Sequence, residues 1–342
     1  MNSISQSRLR SVDIAKGIAI ICIILGHMHE DSINSVVFTF HVPVFFLITG
    51  YFIKDETPVV QFIKRKFRSL VVPYFIISLA LILISAFQAI LINRSIGENI
   101  LHWTEAALYG SGGDYDKWFT IHQIGAIWFL WATFFAAVIV KLLLKKNYIV
   151  RIIGIAVAFL TGYLTSRYLF WFPLSIQAGM CASLYVYIGY CFKKTQDTFR
   201  QLPKEIKITG VILAALVWIS FIRNFESFWL VSCDFGRGFI DILSSLCACL
   251  VVFVISYGID RYLKISAKIL SSIGQCSLLI LFIHLIELSF IDWSNIVDLI
   301  VPPENHIPYL LVTILCKLAL DIGIGFMMSK ITFIRRAFAM KV

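Results

Sequence analysis

Apolar runs of about 18–25 residues recur along the chain, each closed by a short polar or charged stretch. A helix rises about 1.5 Å per residue, so about 20 apolar residues match the hydrocarbon thickness of a bilayer. The pattern predicts ten membrane-spanning helices, at 12–29, 35–53, 69–92, 123–143, 149–166, 171–192, 207–224, 231–258, 270–290 and 307–330. Continuous runs of this length exclude a β-barrel, whose strands alternate every second residue. The expected fold is therefore all-α, a polytopic membrane protein with a single integral membrane domain over 1–342. The longest polar interruptions are 93–122 and 193–206. The first contains Ser111-Gly112-Gly113-Asp114-Tyr115-Asp116, read as either a turn-rich external lid or a plain flexible loop.

The first segment breaks its own pattern, because Asp13, Lys16 and His27 interrupt an otherwise apolar run. At about 100° per residue, the eleven steps from Lys16 to His27 return to within about 20° of the same helix face. Asp13, three residues before Lys16, falls on that stripe. The axial separation of Lys16 and His27 is roughly 16 Å. Ionisable groups are costly in lipid and turn toward a protein interior or a wet cavity, so this face lines something polar. No small-x-small cleavage site follows the run, which argues against a removed signal peptide.

Composition agrees with the spans: 59% of the 342 residues are hydrophobic and 15% charged, with mean hydropathy +0.85. Taking the N-terminus as cytoplasmic and alternating the loops places 23 of the 30 basic residues inside, among them Arg8, Lys64, Lys66, Lys193, Lys194 and Lys341. Only Arg94, Lys117, Arg167 and Arg223 fall outside. This positive-inside bias predicts both termini cytoplasmic, and the expected location is the cell's inner (plasma) membrane. The net charge of +10 then reflects topology and contact with membrane lipids, and no single loop gathers it into a nucleic-acid-binding patch. The eight cysteines show no Cys-x-x-Cys spacing and read as small buried hydrophobes, giving no metal site.

The stretch Asp13-x-x-Lys16-Gly17-Ile-Ala-Ile, followed by Gly26-His27, resembles the opening motif of the membrane acyltransferase-3 family. That family's Arg/Lys-x10-His spacing is kept by Lys16 and His27. The resemblance continues through Phe40-His41-Val42-Pro43 with Gly50-Tyr51-Phe52, and through Arg65-Lys66-Phe67-Arg68 with Pro73. It extends to Trp128-Phe129-Leu130 and to Ile273-Gly274-x-x-Ser277 with His284, covering essentially the whole chain. It implies an enzyme that moves an acetyl or other short acyl group from acetyl-CoA or another acyl-CoA to a hydroxyl. The implied acceptor is a surface glycan or a lipid-linked sugar precursor. Stand-alone sugar O-acetyltransferases, lacking the SGNH hydrolase-like domain of some relatives, look the most similar type. The family's proposed donor role for Arg-x-x-Arg carries over to Arg65 and Arg68.

The residue types suit that chemistry. Neutral imidazole, with an unperturbed pKa of about 6.5, can take the proton from a sugar hydroxyl, so His27 is the expected general base or a transient acyl carrier. Glu30 and Asp31 would orient its ring if the helix continues that far; the structural alternative is a histidine bonded to a backbone carbonyl. His41 is expected beside His27 as a second catalytic candidate, or bonded to a carbonyl freed by Pro43. Lys16 either contacts the donor or snorkels to the headgroups, and Asp13 either contacts substrate or pairs with Lys16. Arginine forks match phosphate oxygens, which suits Arg65 and Arg68 to a nucleotide-bearing donor, although topological anchoring explains the same charges. Trp128, Arg237, His284 and Glu287 are candidate acceptor contacts. His284 and Glu287 share a face of the ninth span with Ser277. Arg237 sits between Asp234 and Asp241 in a stripe that can also be a self-satisfied ion network, and Trp128 can be an interfacial belt residue. The competing class is a transporter or flippase of a glycan or lipid-linked substrate. It shares the intramembrane polar residues but leaves the arginine pair and the lack of visible repeats unexplained.

Overall fold

The computed structural model describes residues 2–116 and 119–338, with side chains from residue 10 onward. The side chain of Arg8, and the whole of Lys117 and Lys341, lie outside the described residues. Among the described residues the regular structure is helical, with no strand. The first helices are α1 (Asn2–Gly26), α2 (Asp31–Val37), α3 (His41–Tyr51), α4 (Val59–Lys66), α5 (Val72–Leu91) and α6 (Ile96–Tyr109). They are followed by α7 (Trp128–Leu143), α8 (Tyr148–Tyr168), α9 (Ile176–Gln201), α10 (Lys204–Arg223) and α11 (Phe239–Tyr262). The last are α12 (Lys264–Gln275), α13 (Ser277–Phe290), α14 (Ser294–Val297), α15 (His306–Ser329) and α16 (Thr332–Ala337).

Each of the ten predicted segments falls on a helix or on a broken pair. Among the described residues six stretches are long and apolar enough to cross a membrane, and α12 with α13, bent by 69° at Cys276, make a seventh. The protein is a polytopic all-α membrane protein. Its outward apolar side chains are those a bilayer requires: α10 is largely uncovered by the rest of the protein, with Leu213 and Leu216 exposed.

Local chemistry explains the interruptions. Pro43 sits in the first turn of α3, where its missing N–H costs no helical bond, so the second span is two helices rather than one kinked rod. Pro73 likewise offers no donor to the Ser69 carbonyl. There the helix widens into a π turn over Phe67–Val71, closed by Val72 N–H reaching back to Phe67 O.

One sequence boundary is corrected below. The 93–122 connection carries α6, capped by the Ser95 side chain accepting from Glu98 N–H, ahead of the turn-rich tract at 111–116. Tyr74 Oη docks this helix by donating to the Ala107 carbonyl at 2.7 Å. The eighth span begins at Phe239 rather than at 231, which removes Asp234 and Arg237 from it.

The chain forms two compact units, residues Met1–His41 with Ala248–Val342 and residues Val42–Cys247. In the first, α1 packs most extensively on α12, and α13 packs on α15. In the second, α7 and α8 pack on α9, and α5 on α6.

Candidate active site

Two sequence-distant stretches lock together in the first unit. A Cβ added at Gly274 would stand 1.8 Å from the Asp13 carbonyl oxygen, and one at Gly17 would stand 2.2 Å from that of Leu270. Only glycine lets backbones approach so closely. Gln275 Nε2 donates to Asp13 Oδ2 at 3.3 Å across the same crossing. Ten residues after its own glycine, each stretch carries a histidine, His27 and His284. Their rings meet edge to face, with His284 Nε2 3.2 Å from His27 Nδ1.

His27 Nδ1 also lies 2.8 Å from the Ile23 carbonyl oxygen. A carbonyl only accepts, so Nδ1 carries the hydrogen and the lone pair of the neutral ring sits on Nε2. Helix α1 stops at Gly26 and the backbone turns through His29 at φ 58°. Glu30 pairs instead with His306 at 3.0 Å, and Asp31 opens α2. The expected orientation of His27 by Glu30 and Asp31 is therefore replaced by a bond to Ile23 and contact with His284.

Behind His284 lies a buried polar cluster. His284, Glu287 and Asp321 are fully buried and Lys317 nearly so. His284 Nδ1 donates to Asp321 Oδ2 at 2.9 Å, while Glu287 Oε2 lies 2.9 Å from the same nitrogen. Lys317 Nζ donates to Glu287 Oε1 at 2.9 Å, and Trp293 Nε1 donates to that same oxygen. The ligand-type atoms of His284, Glu287 and Asp321 all lie within 4.8 Å of one another, a spacing one ion would fit. Their bonds point elsewhere: Asp321 Oδ2 holds the ring N–H, and Glu287 Oε1 holds the Lys317 ammonium and the Trp293 indole. The set is organised as hydrogen-bond donors and acceptors. In front of the cluster opens a cleft of about 540 Å³, lined by His27, Glu30, Trp293, His306, Tyr309, Thr313 and Lys317 among others. An imidazole lone pair on its wall can deprotonate a hydroxyl.

Residues 9–321 match the family model of this acyltransferase domain. The chain belongs to the acyltransferase-3 family. It is a membrane acyltransferase. No curated protein and no solved structure matches it.

Of the acyltransferase's sequence-predicted site residues, His27, His284 and Glu287 come together. His41 is buried at the start of α3, with Nδ1 donating to the Val37 carbonyl at 2.6 Å and its ring edge-on to Phe38. Lys16 and Asp13 pair at 2.7 Å, both partly exposed, well along α1 from His27. Arg65 ends α4 and Arg68 lies in the π turn, both exposed. Around the Phe62 ring stand Arg65, Lys66 and Lys141, at 5.8, 5.9 and 5.7 Å from its centroid, a concentration of positive charge within the second unit. Trp128 is buried against Gly112 at the head of α7, inside that unit rather than in a lipid-facing belt. Arg237 sits in the loop before α11 and forks onto Asp241, with Nε and Nη2 at 2.9 and 2.7 Å from Oδ1, so the ion-network reading describes it. Asp234 faces Arg167 at 3.8 Å instead.

Sequence reasoning missed Asp321, Trp293 and the role of Lys317. Lys317 and Asp321 are charges four apart inside an apolar run, a signal that ionisable residues within spans carry function. Trp293 follows Glu287 by six residues across a helix end and carries no such mark.

Proposed function

We propose that this acyltransferase moves an acetyl or other short acyl group from an acyl-CoA to a hydroxyl of a surface glycan or a lipid-linked sugar precursor, in the plasma membrane. The observation that carries the reading is His27, which lines the cleft with Nδ1–H bonded to Ile23 and its lone pair therefore on Nε2. Nε2 takes the acceptor proton as the oxygen attacks the thioester carbonyl. The C–S bond then breaks, the ester C–O bond is complete, and the thiolate leaves with the proton. Trp293 and Tyr309 supply aromatic faces, and Glu30 and Thr313 supply hydrogen-bonding oxygens, a lining suited to a sugar. Arg65 and Arg68, with Lys66 beside them, offer the cationic forks that the donor's phosphates require.

The test is purified protein in proteoliposomes with labelled acetyl-CoA and a panel of methyl glycosides. Ester formation is expected, and His27→Gln should lose about 10²–10⁴-fold in rate while remaining folded, since glutamine keeps the bond to Ile23 but is no base at neutral pH. Near-normal turnover by His27→Gln would remove His27 from the chemistry. Movement of glycan without donor consumption would instead favour the transporter.

A further inference from the structure

We infer that Asp321, Glu287, Lys317 and His284 form a proton store behind His27, so that the acceptor's proton is shared away from the base during acyl transfer. This rests on the acyl-transfer reading and deepens it. The starting point is charge. With both rings neutral, the buried cluster holds two carboxylates against one ammonium, a net charge of −1. Buried charge is tolerated when it is balanced, so this cluster stands one proton short of balance. It also has places ready for the added charge. Asp321 Oδ1 is buried without a hydrogen-bond partner among the described residues, and Glu287 Oε2 has beside it the His284 Nδ1–H that Asp321 Oδ2 already holds. His284 Nδ1 lies 2.9 Å from one oxygen of each carboxylate, so both acids face the same ring nitrogen.

The connection to the chemistry is the 3.2 Å contact. His284 donates from Nδ1 to Asp321, so its Nε2 bears a lone pair, and that lone pair faces His27 Nδ1–H. As Nε2 of His27 gains the proton from the acceptor hydroxyl, its Nδ1 proton moves to His284 Nε2. The cluster becomes neutral and His27 stays uncharged. When the thioester C–S bond breaks, the sequence reverses: His284 returns its Nε2 proton to His27 Nδ1, and His27 Nε2 gives its proton to the thiolate. Alcohol and thioester become ester and thiol, with no proton left over. The Ile23 carbonyl, 2.8 Å from Nδ1, faces a lone pair while the proton is away and so favours its return. A divalent ion in the same place would instead carry the cluster past balance to +1.

Asp321→Asn fills the charge deficit without changing side-chain size and is the deciding variant. With labelled acetyl-CoA and methyl glycosides, kcat should fall about 10²-fold, toward the lower end of what acid–base assistance contributes, with the acceptor KM within about twofold. The loss should shrink when trifluoroethanol, a more acidic alcohol, replaces the glycoside, which a purely structural defect would not produce. Unchanged kcat in Asp321→Asn, beside normal transfer by the parent, sinks the store and leaves the acyl-transfer reading intact. Absence of any transfer by the parent sinks that reading instead, and a second measurement then still decides. Solid-state ¹⁵N spectra of histidine-labelled protein, assigned with His27→Gln and His284→Asn, should show both rings in the Nδ1–H form. The His27 signals should move in Asp321→Asn. A His27 ring protonated on Nε2, His27 signals indifferent to Asp321, or one tightly bound divalent metal per chain that Asp321→Asn releases would each overturn the proposal.

Discussion

Replacing Lys317 with methionine keeps most of the side-chain volume and removes the ammonium paired with buried Glu287. The pair it breaks is close, Nζ to Glu287 Oε1 at 2.9 Å, and nearly dry on both sides. At an effective dielectric of about 20, two unit charges at that distance attract by about 6 kcal/mol, much of it opposed by the cost of burying them. Removing one partner leaves the other charge buried alone, an effect of about 3–5 kcal/mol. With an unfolding entropy of about 2.1 cal/mol/K per residue, that lowers the melting midpoint of a 342-residue chain by roughly 5 °C. The assay is thermal unfolding in detergent, followed by tryptophan fluorescence and by loss of the monodisperse peak. Lys317→Arg should keep most of the stability, because it keeps the charge. The double variant Lys317→Met with Glu287→Gln should lose less than the sum of the single losses, because the second change removes the charge that the first stranded. A midpoint for Lys317→Met within about 1 °C of the parent would refute the buried ion pair.

Gly274→Ala should cost about 1–3 kcal/mol and at least tenfold in transfer rate, because its methyl meets the Asp13 carbonyl and parts the helices that bring His27 to His284; a variant with parental midpoint and rate contradicts the crossing. Replacing both Arg65 and Arg68 with alanine should weaken acyl-CoA binding tenfold or more, with lysine recovering only part because it lacks the planar fork, as titration calorimetry will show. On a cysteine-free background, Arg94→Cys should label from outside the cell and Lys194→Cys from the cytoplasm. Labelling of both from one side would end the ten-span topology, since three predicted spans separate them.

The spans were legible because membrane solvation leaves a coarse signature: where lipid surrounds a helix, nearly every residue on it is apolar. Their ends were less so. The start of the eighth span was misplaced because Val231, Cys233 and Phe235 extend its apolar residues backwards, whereas Asp234, Arg237 and two glycines in 231–238 keep the chain out of the helix and Arg237 and Asp241 satisfy one another at its mouth. The polar stripe of α1 was legible for the same reason as the spans, a histidine and a lysine being conspicuous in an apolar run. What surrounds His27 was not. The expectation looked along the same helix to Glu30 and Asp31, but the chain turns at His29, and the neighbours come from α13 and α15, about 257 and 290 residues away in sequence. Periodicity reports which residues share a face; it says nothing of which two faces meet.

Those two faces meet because of glycines that carry no chemistry themselves. Gly17 and Gly274 bring two backbones to a separation no side chain allows, and each stretch then runs ten residues to its histidine, along α1 in one case and through the 69° bend at Cys276 into α13 in the other. A small shift at the crossing, carried along two such arms, is enough to break a 3.2 Å contact. His27 and the cluster behind it thus depend on packing well away from the cleft. Substitutions at the crossing should therefore lower turnover while leaving alone the donor affinity proposed for Arg65 and Arg68, which belong to the other compact unit. Loss of donor binding together with turnover in Gly274→Ala would mean that the effect had spread as general unfolding rather than through the histidine pair.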